Sequence, residues 1–67
     1  MLRIKINGNN EDIKDETTAL ELLEIKNIDK NSIVFIVNDK ILKKDDLGKY
    51  ILKQNDDIEI LRFVSGG

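Results

Sequence analysis

Hydrophobic and polar residues alternate at the start of the chain. Residues 2–6 have apolar side chains at the even positions and basic ones at the odd positions, which is typical of a strand with one buried face and one solvated face. Asn7-Gly8 follows, and this dipeptide indicates a hairpin because both residues accept positive φ angles. We therefore predict a first strand, a turn, and a short antiparallel second strand near residues 11–14 with Ile13 facing inward.

A helix is predicted over residues 19–26. Thr18 is suited to be its N-cap, and Glu21 completes a capping box in which each side chain satisfies a free backbone N–H of the other residue. The apolar residues Ala19, Leu22 and Leu23 recur at helical spacing. The helix can therefore pack on a sheet through one apolar flank.

Three further stretches have strand character. Residues 33–37 are uniformly apolar and end at the turn-forming pair Asn38-Asp39. Residues 40–42 predict a short edge strand, and residues 43–53 predict a 3₁₀ or irregular connection. A final strand is expected from about Ile58 to Val64.

This order of elements predicts an α+β fold. One substantial helix can cover only one face of a sheet. We expect a mixed sheet of four to five strands with the helix on one face, forming a single domain over residues 1–67.

The uncovered face of the sheet is predicted to carry apolar side chains. Alternation along the strands turns Val34 and Ile36 outward on the third strand, and Leu61 and Phe63 outward on the last. A contiguous exposed apolar patch usually marks a binding surface. These residues form a docking surface for a partner only if the third and final strands are neighbours.

Composition excludes several functions. The net charge of -2 and the isoelectric point near 5.0 provide no basic field for nucleic acid. No apolar run approaches the ~18 residues of a membrane span, and there is no apolar signal segment, so we expect a cytoplasmic protein that binds no membrane. The sequence has no cysteine and no histidine, and its acidic residues lack EF-hand spacing. We therefore predict neither a metal site nor a catalytic residue.

The sequence ends on two residues without side chains, Gly66 and Gly67. Average glycine usage is only ~7 %, and the strand just upstream would anchor this segment in the fold. We expect residues 64–67 to project as a reactive tail.

Several stretches together resemble a known family. Residues 37–41, the turn at Asn55-Asp56 and the run 57–67 are similar to the small sulfur-carrier proteins of thiamine biosynthesis, the ThiS family. The likeness spans essentially the whole chain. Its most specific parts are the Val-Asn turn and the Ile-Glu-Ile strand that leads into the terminal diglycine.

The chain departs from the usual family pattern at three places. Asn55 stands where the family usually has glycine, which asparagine can replace because it also adopts the left-handed conformation. Leu47 lies near the place of a common tryptophan, and Lys43 and Lys44 lie near a usual arginine. These departures bear on the pathway more than on the fold.

The resemblance implies a ubiquitin-like β-grasp fold in which the first and last strands are central and parallel. It also implies that an E1-like (ThiF-like) enzyme adenylates the carboxylate of Gly67 with ATP and Mg²⁺. The product is converted to a thiocarboxylate that delivers sulfur to a ThiG-like thiazole synthase. Ser65 and Gly66 would enter the partner's active site, and a persulfide donor would supply the sulfur. Such a carrier would be a monomer when free, would bind no cofactor itself and would not be an enzyme.

Other functions remain open at this stage. MoaD-like carriers for molybdopterin synthesis share the fold and the tail, and are usually somewhat longer. A ubiquitin-like modifier would join the same activated Gly67 to a protein lysine. A pure interaction module would not need its diglycine. The sequence identifies neither the pathway nor the sulfur donor.

Overall fold

The computed structural model describes residues 1–63, so the predicted tail (Val64, Ser65, Gly66 and Gly67) lies outside the described residues. The described part contains five strands and one α-helix, with two single turns of 3₁₀ helix at Lys30–Ser32 and Lys44–Asp46. In chain order the elements are β1 (Leu2–Ile6), β2 (Asn9–Ile13), α1 (Ala19–Ile25), β3 (Ile33–Val37), β4 (Lys40–Leu42) and β5 (Asp57–Arg62).

The five strands form one mixed sheet in the order β2-β1-β5-β3-β4. The last strand, β5, lies at the centre, parallel to β1 and antiparallel to β3. The two hairpins, β1-β2 and β3-β4, flank it on either side. The α+β fold class is confirmed, and the central parallel pair is that of the ubiquitin-like β-grasp.

The first hairpin has a two-residue turn. Asn7 and Gly8 both have positive φ angles, 49° and 85°, which match the twist of the flanking strands. Because Ile6 pairs directly with Asn9, β2 occupies residues 9–13. The predicted position of the second strand, residues 11–14, is therefore wrong by two residues at its start and one at its end.

Helix α1 begins at the predicted capping box. The Thr18 hydroxyl accepts a hydrogen bond from the Glu21 backbone N–H at 3.1 Å, and the Glu21 carboxylate accepts one from the Thr18 N–H at 3.0 Å. The helix ends at Ile25, one residue earlier than predicted, with Lys26 as its C-cap. The Lys26 ammonium forms an ion pair with the Glu11 carboxylate on β2 at 2.9 Å.

The core lies between α1 and one face of the sheet. Strand alternation is confirmed for β3 and β5, since their predicted inward residues are all buried. The irregular connection between β4 and β5 adds Leu47 and Leu52 to the core. The buried apolar residues are Ile4, Ile6, Ile13, Ala19, Leu22, Leu23, Ile33, Phe35, Val37, Leu47, Leu52, Ile58 and Ile60.

Strand β5 is shorter than predicted at its end. It stops at Arg62, and the Phe63 N–H donates to the Ser32 carbonyl at 3.0 Å. Val64, the predicted last residue of this strand, lies outside the described residues. Within residues 1–63, no helix has the length and apolar character needed to cross a membrane.

Candidate functional site

The open face of the sheet carries the predicted apolar residues close together. Strands β3 and β5 are neighbours, with Val34 directly opposite Leu61 and Ile36 opposite Glu59. Leu61 and Phe63 are 49 % and 60 % exposed, while Val34 and Ile36 are partly buried. The structure therefore meets the condition for one contiguous surface.

One member of this surface was missed from the sequence. Ile41 on β4 pairs with Ile36 and is 71 % exposed. The turn at Asn38-Asp39 offered a signal, because a two-residue hairpin turn sets the register of β4 against β3. We call Val34, Ile36, Ile41, Leu61 and Phe63 the open-face patch.

The remainder of the open face is polar and mostly charged. Arg3 on β1 pairs with Asp12 on β2 at 3.0 Å, and this hydrogen bond lowers the pKa of the Asp12 carboxyl. Lys5 lies opposite Asp57, where β1 pairs with the start of β5. The open face is thus polar where β5 begins and apolar where it ends, next to the point from which residues 64–67 continue.

The Asn7 side chain holds the second half of β5. Strand β1 ends at Ile6, but the Asn7 Oδ1 accepts from the Ile60 N–H at 2.9 Å and its Nδ2 donates to the Ile60 carbonyl at 3.4 Å. This amide takes the place of a further residue of β1 in the ladder. Hydrogen bonds on both sides therefore fix β5 almost to its end.

A buried carboxylate joins the start of β5 to two other segments. Asp56 is 4 % exposed and accepts hydrogen bonds, each of 2.9 Å, from the Asn38 Nδ2, the Tyr50 hydroxyl and the Lys53 backbone N–H. The sequence predicted only turn chemistry here, because nothing local distinguishes a buried Asp from a solvated one. We call this arrangement the Asp56 junction.

The junction changes the ionisation of the single tyrosine. The pKa of Tyr50 is raised to about 12. Burial is the largest cause, followed by the hydrogen bond to Asp56 and the negative charge of Asp56. The neighbouring Asn55 has a φ of 70°, the left-handed conformation in which glycine is the usual residue. The presence of asparagine at position 55, where the family usually has glycine, is therefore compatible with the backbone geometry.

Residues 1–63 bring together no group of three or more acidic side chains that could hold a metal ion. The Asp56 carboxylate is occupied by its three donors. The predicted docking residues are placed on one surface, whereas Ser65, Gly66 and Gly67 lie outside the described residues and their roles stay predictions. The described geometry thus provides an apolar face beside a firmly held last strand.

Comparison with known proteins agrees with this architecture. The model of the ThiS family matches residues 4–67. The crystal structure of the thiamine biosynthesis protein ThiS from Geobacter metallireducens superposes with a TM-score of 0.84, covering 98% of this chain and 100% of that chain at 20% sequence identity. At that identity, the likeness shows the fold. No curated protein matches the chain.

Proposed function

Because the chain belongs to the ThiS family, we propose that it is a sulfur carrier of thiamine biosynthesis and a co-substrate of partner enzymes. The observation that carries this proposal is the family match, which extends through the diglycine to Gly67. The position of β5 supports it, since a central strand gives the tail a rigid base.

The chemistry would take place at the Gly67 carboxylate. One carboxylate oxygen attacks the α-phosphorus of ATP on the ThiF-like enzyme, and pyrophosphate leaves. The outer sulfur of a persulfide donor then attacks the acyl carbon and displaces AMP, which departs with that oxygen, so that the glycine is joined to the donor as an acyl disulfide. A partner thiol, the two-electron reductant, attacks the donor sulfur of this disulfide and forms a new disulfide with the donor, which releases Gly67 as a thiocarboxylate. The sequence contains no cysteine and no histidine, so the partners would supply the sulfur and the catalytic groups, and the ATP would bring its Mg²⁺ to the activating enzyme.

The open-face patch would bind the activating enzyme and then the ThiG-like thiazole synthase. Leu61 lies near the end of β5 and Phe63 directly follows the strand, so a partner that covers them is next to the first residue of the tail. Gly66 would enter a narrow channel, because it has no side chain and adopts backbone angles that other residues cannot. The fold would thus position a reactive terminus that it does not itself activate.

The direct test is partner-dependent ATP–pyrophosphate exchange. We expect exchange with the wild-type chain, and none when Gly67 is deleted or one alanine is appended. An added residue displaces the carboxylate by about 3.5 Å, and a misplacement of 1 Å can already cost about 10²-fold in rate. A thermal melt of each variant should match the wild type, because the change lies beyond β5.

The variant that lacks Gly67 can also refute the proposal. Exchange at the wild-type rate without Gly67 would show that another group is activated, and the sulfur-carrier function would be wrong. Mass spectrometry of the wild-type product then distinguishes a sulfur carrier from a protein modifier. A carrier gains the mass of one oxygen-to-sulfur exchange, whereas a protein modifier forms high-mass conjugates.

A further inference from the structure

A groove adjoins the open-face patch and shares Val34 and Ile41 with it. This open groove of about 160 Å³ runs along the edge of β3 and past the end of β4. Its apolar floor includes Val34, Ile41 and Leu47. Three lysines line it as well: Lys30, Lys43 and Lys44.

The charge of this groove differs from that of the molecule. The whole chain has a net charge of -2, yet the residues from 1–63 that line the groove include these lysines and no acidic side chain. Asp29, Asp45 and Asp46 lie close to these lysines in sequence but are not among the residues that line the groove. The ion pairs found within residues 1–63 do not involve the three lysines. The lining of the groove therefore offers positive charge to a ligand that enters it.

The edge of the sheet is also open along the groove. Strand β3 has five residues, but β4 pairs only with the three from Phe35 to Val37. Ile33 and Val34 therefore have no β4 residue beside them, and both line the groove. An exposed strand edge next to apolar pockets suits a segment in extended conformation.

The groove is close to the exit of the tail. The Ser32 carbonyl, between Lys30 and the start of β3, accepts the hydrogen bond from the Phe63 N–H. Ile33 pairs with Arg62, the last residue of β5. A protein that holds the tail is thus within reach of the groove.

From these observations we propose that the groove binds an acidic, extended segment of the activating enzyme and that its three lysines steer the two proteins together. This inference rests on the proposed function, and names a contact that the open-face patch does not provide. Complementary charge mainly raises the rate of association, by about 10 to 10³-fold in strongly steered pairs. The apolar floor would take the apolar side chains of the same segment.

The test compares association rates of the full chain with its activating enzyme by stopped flow. The groove variant carries Lys30→Gln, Lys43→Gln and Lys44→Gln. At about 0.01 M salt, where the Debye length is about 30 Å, we expect its association rate constant to fall about 10-fold. At about 1 M salt, where that length is about 3 Å, the difference from wild type should disappear.

A second triple variant controls for total charge. Lys14→Gln, Lys49→Gln and Lys53→Gln remove the same number of charges from exposed positions outside the groove. Its association rate constant at low salt should stay within about 3-fold of wild type, since steering depends on the local field. Equal losses in the two variants would overturn the proposal, because only net charge would then matter.

Amide NMR of the wild-type chain gives a result that needs no variant. On addition of the activating enzyme, the amides of Ile33 and Leu47 should shift or broaden together with those of Lys43 and Lys44. Changes confined to Ile36, Leu61 and Phe63, the patch residues outside the groove, would overturn the groove proposal even if a variant failed to fold.

The outcomes also separate the two proposals. Wild-type exchange of pyrophosphate combined with an unchanged association rate in the groove variant would reject the groove alone. A wild-type chain that supports no exchange would reject the sulfur-carrier function, and the groove proposal with it.

Discussion

Removal of the Asp56 carboxylate should destabilise the domain more than any surface change. Asp56→Ala leaves three donors, on Asn38, Tyr50 and Lys53, without their acceptor. One hydrogen bond to a charged group contributes ~1.5–3 kcal/mol, and a buried donor without an acceptor costs ~1–3 kcal/mol. Asn38 and Tyr50 can turn partly to water, so we expect a net loss of about 3–5 kcal/mol rather than the full sum of three bonds.

That loss is a large part of the total stability. A domain of this length has an unfolding free energy of roughly 3–10 kcal/mol, at about 0.05–0.15 kcal/mol per residue. Asp56→Ala should therefore shift the midpoint of urea denaturation strongly or prevent folding at room temperature. Asp57→Ala is the matched control, because Asp57 is exposed, and it should change the unfolding free energy by less than about 0.5 kcal/mol.

Asp56→Asn is the milder form of the same perturbation. The amide oxygen can still accept from Tyr50 and Lys53, but the amide nitrogen then faces the Nδ2 of Asn38, donor against donor. Asn38 cannot turn its amide over without losing the bond from the Asp57 N–H to its Oδ1. We expect a cost of about 1–3 kcal/mol.

The single tyrosine reports on the junction spectroscopically. The sequence has one tyrosine and no tryptophan, so phenolate absorbance follows Tyr50 alone. An unfolded tyrosine ionises near pH 10, whereas the pKa of folded Tyr50 is about 12. The unfolded chain therefore loses this proton first, and the stability of the fold should fall as the pH rises from about 10 to about 12.

Asp56→Asn separates the causes of this shift. Without the charge, the pKa of Tyr50 should move toward its ordinary value but stay above it, because burial is the largest cause. An unfolding free energy of Asp56→Ala within about 0.5 kcal/mol of wild type, or a Tyr50 pKa unchanged in Asp56→Asn, would contradict the view that this carboxylate organises the junction.

Three further changes test the core, the docking face and the backbone. Leu23→Ala should lower the unfolding free energy measured by urea denaturation by ~2–5 kcal/mol, because Leu23 is fully buried. A loss no larger than that of Ile25→Ala, at a 74 % exposed site, would contradict the place of Leu23 in the core. Phe63→Asp should weaken binding to the activating enzyme in a calorimetric titration with an unchanged thermal melt, and equal weakening by Ile51→Asp would show that no particular face is recognised. Asn55→Ala should lower the unfolding free energy by about 1 kcal/mol and Asn55→Gly by less, because alanine adopts the positive φ of this residue at a higher cost than glycine does. Equal losses in both variants would show that the positive φ does not determine which residue is preferred here.

Local patterns in the sequence determined the elements and their faces. The period-2 alternation predicts which side chains of β3 and β5 point inward, because successive residues of a strand face opposite sides. The Thr18-Glu21 capping box predicts the start of α1, because both hydrogen bonds join residues only three positions apart. The bounds of β2 and the end of β5 were predicted less accurately, since pairing with other strands sets where a strand begins and stops.

The tertiary structure decided which of these faces meet. Val34 lies opposite Leu61 only because β5 enters the centre of the sheet between β1 and β3. The Asn38 amide reaches the buried Asp56, and the Asn7 amide extends the ladder to Ile60, both through contacts between segments far apart in the chain. A local pattern specifies the side of a strand that is buried, but strand neighbours are chosen by the packing of the whole core.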